Sequence, residues 1–332
     1  MMHGRETVMP SLRIIYDVEG WAYFHQAVAL RKYAPADFAI SLGCLAGSNR
    51  STAGQRSIEE ARAVLGDSPV DIVFLLTATQ TSVVRAALRE TGWQSKLVAG
   101  WTDGVPRRYA LFHQLYDQAD AWIINNLAYW EAIGRLPRTY MIANGVDLEV
   151  FNVTRPPRLR TPKVLWTGSQ LHRRLKGYDE LIVLLQAKLR ALGIDCETLL
   201  VDSYGTEKRS PAQMAAWYNS GTVLVCASES EGTPNPALEA AACGCTIVST
   251  PVGNMPELIR HDVNGYLVDR DIGALLGATE RACAHYLRLS HAMQNDIRGW
   301  HWARRSTDFF RVFRDVLAPQ MHSTVERQLA QP

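Results

Sequence analysis

No hydrophobic run in the 332 residues approaches the ~20 needed to span a bilayer, and the longest centres on residues 72–76. Residues 1–10 carry Arg5 and Glu6 but no apolar stretch of the kind an export signal requires. Neither a membrane-spanning segment nor a secretory leader is expected. An excess of one charge is also missing: 35 Lys and Arg face 33 Asp and Glu, and residues 1–155 hold 15 of each sign. A protein that grips nucleic acid through its phosphates normally shows a clustered basic surplus, so bulk charge gives no support to a DNA or RNA scaffold or to an anionic membrane surface. The six cysteines (Cys44, Cys196, Cys226, Cys243, Cys245, Cys283) form no C-x-x-C pair and have no histidines at zinc-finger spacing. They read as reduced, mostly buried side chains, which implies a reducing compartment and hence a cytoplasmic location. No G-x-G-x-x-G follows the first strand of either half, against a nicotinamide-dinucleotide enzyme.

What is present is a chain of ordinary globular composition, 47% hydrophobic and 20% charged, long enough for two domains. Short apolar runs alternate with amphipathic stretches. Strands are expected at 12–17, 38–42, 70–76, 96–99, 121–124 and 139–143, and helices at 21–33, 57–65, 80–91, 107–119 and 126–134. The pattern stops at Asn152-Val153-Thr154-Arg155-Pro156-Pro157-Arg158, where adjacent prolines preclude helix and disfavour a central strand. It then restarts with strands at 163–167, 198–202, 223–226, 246–249 and 266–268, and helices at 178–192, 212–219 and 236–243. Such βα alternation implies parallel sheets covered on both faces. The expected organisation is a doubly wound domain over 1–155, a second over 156–298, a helix over 299–318 packing back on the first, and a tail over 319–332. Helical patterning over 274–293 and 300–317 ends the ordered chain. The latter carries Trp300, Trp302, Phe309, Phe310 and Phe313, an aromatic stripe that reads as packing.

In open parallel sheets ligands collect beyond the carboxyl ends of the strands. The stretch after 223–226 is the richest: Ala227-Ser228-Glu229-Ser230-Glu231-Gly232-Thr233-Pro234-Asn235-Pro236-Ala237-Leu238-Glu239. Asn235 followed by Pro236 reads as a helix N-cap with proline at the first helical position, aiming free N–H groups at an anion. Glu231 and Glu239 bracket that end, and a carboxylate accepts from paired hydroxyls such as those of a sugar ring. On local grounds alone, Glu239 reads equally well as a complement to the helix dipole and Glu231 as a solvated side chain.

The spacing of Glu231 and Glu239 resembles the E-x7-E motif of retaining glycosyltransferases of the GT-B fold, in particular glycosyltransferase family four. Neighbouring segments agree in order: Asn144-Gly145-Val146-Asp147-Leu148-Glu149-Val150-Phe151, Ala215-Ala216-Trp217-Tyr218-Asn219, Ser228, Gly253-Asn254-Met255-Pro256-Glu257-Leu258-Ile259 and Asn264-Gly265-Tyr266-Leu267-Val268. The resemblance implies two Rossmann-like domains facing a cleft, with the second holding a nucleoside-diphosphate sugar and the first an acceptor. It implies that Glu239 holds ribose hydroxyls and Glu231 faces the transferred sugar or its phosphates. Gly232 and the segment Thr233-Pro234-Asn235-Pro236-Ala237, through the backbone N–H groups it has, would meet the diphosphate or sugar. Lys176, in Leu175-Lys176-Gly177, resembles the lysine that neutralises the departing diphosphate, although a lysine at a helix start is also commonly just solvated.

Two departures stand out. The family's arginine after the glycine of the first strand of the second domain is replaced here, since Gly168 is followed by Ser169; Arg173 or Arg174 would supply the cation, or either is plain surface. The family's histidine after the fourth strand is absent from Gly100-Trp101-Thr102-Asp103-Gly104, where Asp103 either takes part of that role or caps the next helix. Gly20, after the first strand, stands where a backbone can approach the donor phosphates and is a candidate contact. The resemblance implies transfer of a hexose or related sugar to a hydroxyl acceptor, a glycan, lipid-linked glycan or small molecule, with retention at the anomeric carbon and with neither cofactor nor essential metal. Two other readings stand beside it: a transferase acting on a hydroxylated nucleic-acid base, the one way a nucleic acid enters, and a protein that binds nucleotide sugar or glycan without turnover.

Overall fold

The computed structural model describes residues 9–45, 56–102, 108–201 and 209–318. The first unit contains β1 (Ser11–Tyr16), α1 (Ala22–Lys32), β2 (Ala39–Cys44), α2 (Ile58–Leu65), β3 (Ile72–Leu75), α3 (Thr81–Thr91), β4 (Lys96–Trp101), α4 (Tyr109–Leu115), β5 (Ala121–Ile124), α5 (Leu127–Ala132) and β6 (Thr139–Met141). Its strands form one parallel sheet in the order β2-β1-β3-β4-β5-β6. The second unit contains β7 (Lys163–Ser169), α6 (Val183–Ala191), β8 (Asp195–Val201), α7 (Pro211–Tyr218), β9 (Val223–Cys226), α8 (Asn235–Ala242), β10 (Thr246–Ser249), α9 (Met255–Leu258), β11 (Gly265–Leu267), α10 (Ile272–Ile297) and α11 (Trp302–Leu317). Its sheet is also parallel, in the order β11-β10-β9-β7-β8.

The local chemistry explains the boundaries. β3 (Ile-Val-Phe-Leu) and β9 (Val-Leu-Val-Cys) are buried at every position, as strands covered on both faces must be. Ser57 and Ser210 open α2 and α7 through capping boxes with Glu60 and Gln213, and Pro211 occupies the first turn of α7. Gly92 ends α3 in the left-handed conformation. The strands expected at 223–226 and 246–249 coincide with β9 and β10. Elsewhere the structure departs from the reading. The helix expected from 178 begins as a π-helical turn over Tyr178–Ile182, because Leu181 and Ile182 both donate to Gly177 O at 3.0 Å. β8 starts at Asp195, three residues earlier than expected, paired with β7 from Lys163 onward. α10 runs on to Ile297 as one 26-residue helix.

Each sheet has two packed faces. In the first unit, one face buries Val73, Leu75, Trp101, Phe112 and Trp122, and the other buries Leu12, Ile14 and Phe74 against Trp302, Phe309, Phe310 and Phe313 of α11. The last helix of the chain therefore completes the core of the first unit. The two passages between units lie side by side: Val146 N donates to Trp300 O at 2.8 Å and Trp302 N to Val146 O at 3.1 Å. A Cβ on Gly145 would fall 2.8 Å from the Trp302 indole and 2.9 Å from Trp300 O, so only glycine fits that crossing. Asp147 ties the crossing to α1, accepting from Lys32 Nζ and Tyr33 Oη, each at 2.7 Å. Among the described residues no helix is long and apolar enough to cross a membrane.

Candidate active site

The carboxyl ends of β7 and β9 meet at one edge of the second sheet. After β9, Ser228 is almost wholly buried, and its hydroxyl donates to Glu231 Oε1 at 2.6 Å. Lys176 Nζ donates to the same oxygen at 2.5 Å, and the two charged side chains are only 22% and 10% exposed. Burial pulls the Lys176 ammonium down, but the Glu231 carboxylate beside it more than offsets this and holds it above its usual value. Ion pairs this enclosed are strongly coupled to their surroundings.

Backbone constraints place Lys176. Gly177 has φ +71°, and a Cβ there would lie 2.5 Å from Ala227 O. Glu229 N donates to Leu175 O at 2.8 Å, so the two loops are stitched together. Gly168 leaves room for the lysine stem, since a Cβ there would lie 3.3 Å from Lys176 Cγ and 2.9 Å from the Trp166 ring. The resulting cleft is lined by Trp166, Thr167, Lys176, Ser228, Glu231 and Pro236, among others.

Glu239 sits on α8 and accepts from Tyr218 Oη at 2.9 Å. Burial raises its carboxyl to about 7, although the Tyr218 hydrogen bond works in the opposite direction.

The start of α8 differs from the reading. Asn235 is the first helical residue and caps nothing with its side chain; Pro234 precedes it as the flanking residue. Two prolines occupy this turn, at Pro234 and Pro236, and neither has an N–H. Asn235 N already donates to Thr233 O at 2.9 Å, and Ala237 N to Pro234 O at 2.8 Å. Of the segment expected to offer N–H groups, Gly232 and Thr233 are those whose N–H enters no described bond. The anion-facing backbone is therefore narrower than the Asn-Pro pattern suggests.

The cations expected after Gly168 are not brought to the pair. Arg173 forms a two-pronged ion pair with Asp179, with Nε 2.8 Å from Oδ2, and Arg174 is exposed. Ser169 uses its hydroxyl to accept from Leu171 N at 3.2 Å. Gly20 has φ +77° in the loop between β1 and α1. Asp103 lies outside the described residues. Asp269-Arg270-Asp271, a D-x-D after β11, is spent on structure: Asp271 caps α10 through Ala274 N at 2.9 Å, and Arg270 pairs with Glu180. Among the described residues no three His, Cys, Asp or Glu side chains gather as metal ligands would.

Sequence reasoning passed over His172. Burial and the neighbouring Lys176 push its imidazole down, with Glu231 working against them. Its position in the loop between Ser169 and Lys176 was the available signal. Asn125 was also missed: its Nδ2 donates to Thr233 Oγ1 at 3.1 Å from the first unit. Nothing in the local sequence around either residue marks that contact.

Comparison with known proteins bears on this geometry. Residues 161–285 match the family described as Glycosyl transferases group 1. The D-inositol 3-phosphate glycosyltransferase of Pseudarthrobacter chlorophenolicus is 35% identical over 137 residues, 38% of this chain and 32% of that protein. That of Acidothermus cellulolyticus is 30% identical over 125 residues, 35% of this chain and 27% of that protein. The chain thus matches about a third of the length of these curated relatives. Over nearly the whole chain, the fold is similar to that of sucrose-phosphate synthase from Thermosynechococcus elongatus, with a TM-score of 0.72, 15% identity, and 93% and 99% of the two chains covered. It is also similar to Anabaena Alr3699/HepE in complex with UDP-glucose, with a TM-score of 0.69, 14% identity, and coverage of 92% and 99%. The chain therefore has the two-domain GT-B architecture, and within it residues 161–285 match the glycosyl transferases group 1 family.

Proposed function

We propose that the protein transfers a hexose or related sugar from a nucleoside-diphosphate sugar to a hydroxyl acceptor, with retention at the anomeric carbon. The observation that carries this reading is the enclosed Lys176–Glu231 pair at the edge of the second sheet, with the Glu239 carboxyl further along the helix that follows. In support, the curated relatives are named glycosyltransferases, and a protein of similar fold was solved with UDP-glucose, which makes uridine the first base to try.

In this mechanism Glu239 receives the ribose hydroxyls, and its ionisation is drawn out by them. Lys176 faces the diphosphate, where negative charge grows as the sugar–phosphate bond breaks. The Gly232 and Thr233 N–H groups add to that field. Glu231 orients the lysine and accepts from hydroxyls of the transferred sugar, on whose anomeric carbon positive charge develops. The acceptor hydroxyl attacks from the face the phosphate leaves, and the departing phosphate oxygen takes its proton, so no carboxylate nucleophile is required. The first unit brings the acceptor and excludes water.

The test is release of UDP from UDP-glucose, with the anomer of the sugar product read by proton magnetic resonance before it mutarotates. Lys176→Ala and Glu231→Ala are each expected to lose turnover while the far-ultraviolet circular dichroism stays that of the wild type. Turnover at the wild-type rate in both variants contradicts the assignment, and inversion at the anomeric carbon contradicts the mechanism.

A further inference from the structure

The segment that carries Glu231 is gripped from both sides. From the first unit, Asn125, which follows β5, donates through Nδ2 to Thr233 Oγ1 at 3.1 Å. From within the second unit, Asn254, wholly buried just before α9, donates to the same oxygen at 3.2 Å. Asn125 is itself held firmly: it is 2% exposed, its Oδ1 accepts from Asn126 Nδ2 at 3.1 Å, and its N–H reaches Trp101 O at 3.3 Å. Asn126 is fixed in turn as the cap of α5, accepting from Tyr129 N at 2.9 Å.

The backbone shows the same close approach. A Cβ on Gly232 would fall 1.6 Å from Thr102 O and 2.8 Å from Asn125 Nδ2. On the opposite side, a Cβ on Gly253 would fall 2.4 Å from Gly232 O. Residues 231–233 therefore lie between the carboxyl ends of β4 and β5 in one unit and the Gly253-Asn254 turn in the other. A second contact reinforces the seam, since Leu127 N donates to Glu257 Oε1 at 2.9 Å. Buried amides left without partners are costly, so these contacts favour the one relative placement of the units in which both are made.

We infer that Asn125 is a positioning residue for the proposed transfer. It holds Thr233, and through Thr233 it ties the placement of Glu231, two residues earlier, to the approach of the first unit. The Lys176–Glu231 pair is then presented to the donor in working register only when the two units meet. The inference rests on the reading of Lys176 and Glu231 given above, but the contact can be tested without it.

The experiment compares the full chain with Asn125→Ala, Thr233→Val, Thr233→Ser and the Asn125→Ala/Thr233→Val double variant. The first readout, hydrogen–deuterium exchange of the peptide over 229–235, needs no ligand. Asn125→Ala and Thr233→Val are each expected to speed exchange there at least fivefold, the double variant no further, and Thr233→Ser not at all. Exchange at the wild-type rate in the single variants overturns the inference, as does a double variant whose acceleration is the product of the two. The second readout is UDP release from UDP-glucose, with UDP affinity measured separately by calorimetry. Asn125→Ala and Thr233→Val are expected to lower kcat at least tenfold with UDP affinity within twofold of wild type, and Thr233→Ser to restore kcat. Weakened UDP affinity with unchanged kcat overturns the positioning role. A wild-type protein that neither binds UDP nor releases it counts against the proposed donor, and the exchange comparison then decides the contact alone.

Discussion

At the scale of the residue, Glu239 gives the most distinctive signature. An unfolded glutamate ionises near 4.5, whereas burial lifts this one to about 7. Below 4.5 the carboxyl is protonated whether the chain is folded or not, and the site costs nothing. As pH rises from 4.5 towards 7 the unfolded chain loses its proton first, so stability falls, and above 7 the penalty is constant. Glu239→Gln should therefore raise the denaturation midpoint at pH 8 and leave it unchanged at pH 4.5. Hydroxyl donors favour the ionised form, so UDP-glucose should bind more weakly at pH 6 than at pH 8 and release a proton on binding at pH 6, as calorimetry in buffers of different ionisation enthalpy would reveal. Lys176 and Glu231 respond differently, because each is the other's counter-charge. Lys176→Met should cut turnover roughly a hundred- to thousandfold, the range seen when one donor to a developing anion is removed. It should also destabilise the fold by about 3 kcal/mol, because Glu231 is left enclosed and uncompensated. Adding Glu231→Gln to that variant should restore much of the stability and none of the turnover. These three residues stood out in the sequence through the family resemblance, since on local grounds the helix dipole and solvation account for Glu239 and Glu231 equally well. The contact between Asn125 and Thr233 was not legible: its partners lie 108 residues apart, and although Thr233 stood out as part of the donor loop, nothing in the sequence marks Asn125.

At the scale of the element, the loops between strand and helix decide the site, and glycines decide the loops. Gly177 and Gly92 have the same φ of +71°, but a Cβ on Gly92 would meet nothing within 4 Å, while one on Gly177 would meet Ala227 O at 2.5 Å. Gly92→Ala should cost about 1 kcal/mol, the conformational penalty alone. Gly177→Ala should cost clearly more and abolish turnover, because the loop must shift and carry Lys176 with it. Urea denaturation of both variants separates the two terms. Short, uniformly buried apolar runs such as β9 and β10 could be read to the residue. The π-helical turn over Tyr178–Ile182 and the start of α8 at Asn235, with Pro234 flanking it, could not, since both depend on which N–H groups the surrounding loops have already satisfied.

At the scale of the whole molecule, the chain crosses between its units twice, and the second crossing makes α11 part of the first core. Phe309 is fully buried, with its ring 5.9 Å from Phe74 and 6.0 Å from Trp302. Phe309→Ala should destabilise the first unit by about 3–5 kcal/mol although it lies 208 residues beyond the end of β4. A fluorescence-monitored melt should show the loss while the second unit's transition is unchanged. The aromatic stripe of α11 announced burial, but the surface it covers is set by the paired crossings at Gly145 and Trp302, which depend on contacts far apart in the chain. The central claim, that the second unit holds a nucleoside-diphosphate sugar through Glu239, is tested most directly by thermal denaturation with UDP, GDP, ADP, CDP and TDP, each free and as its common sugar conjugates. A ligand at 100 times its dissociation constant stabilises by about 2.7 kcal/mol, a readily measured shift. The account predicts a shift with one base that is lost in Glu239→Ala; no shift with any nucleotide, or the same shift in Glu239→Ala, would contradict it.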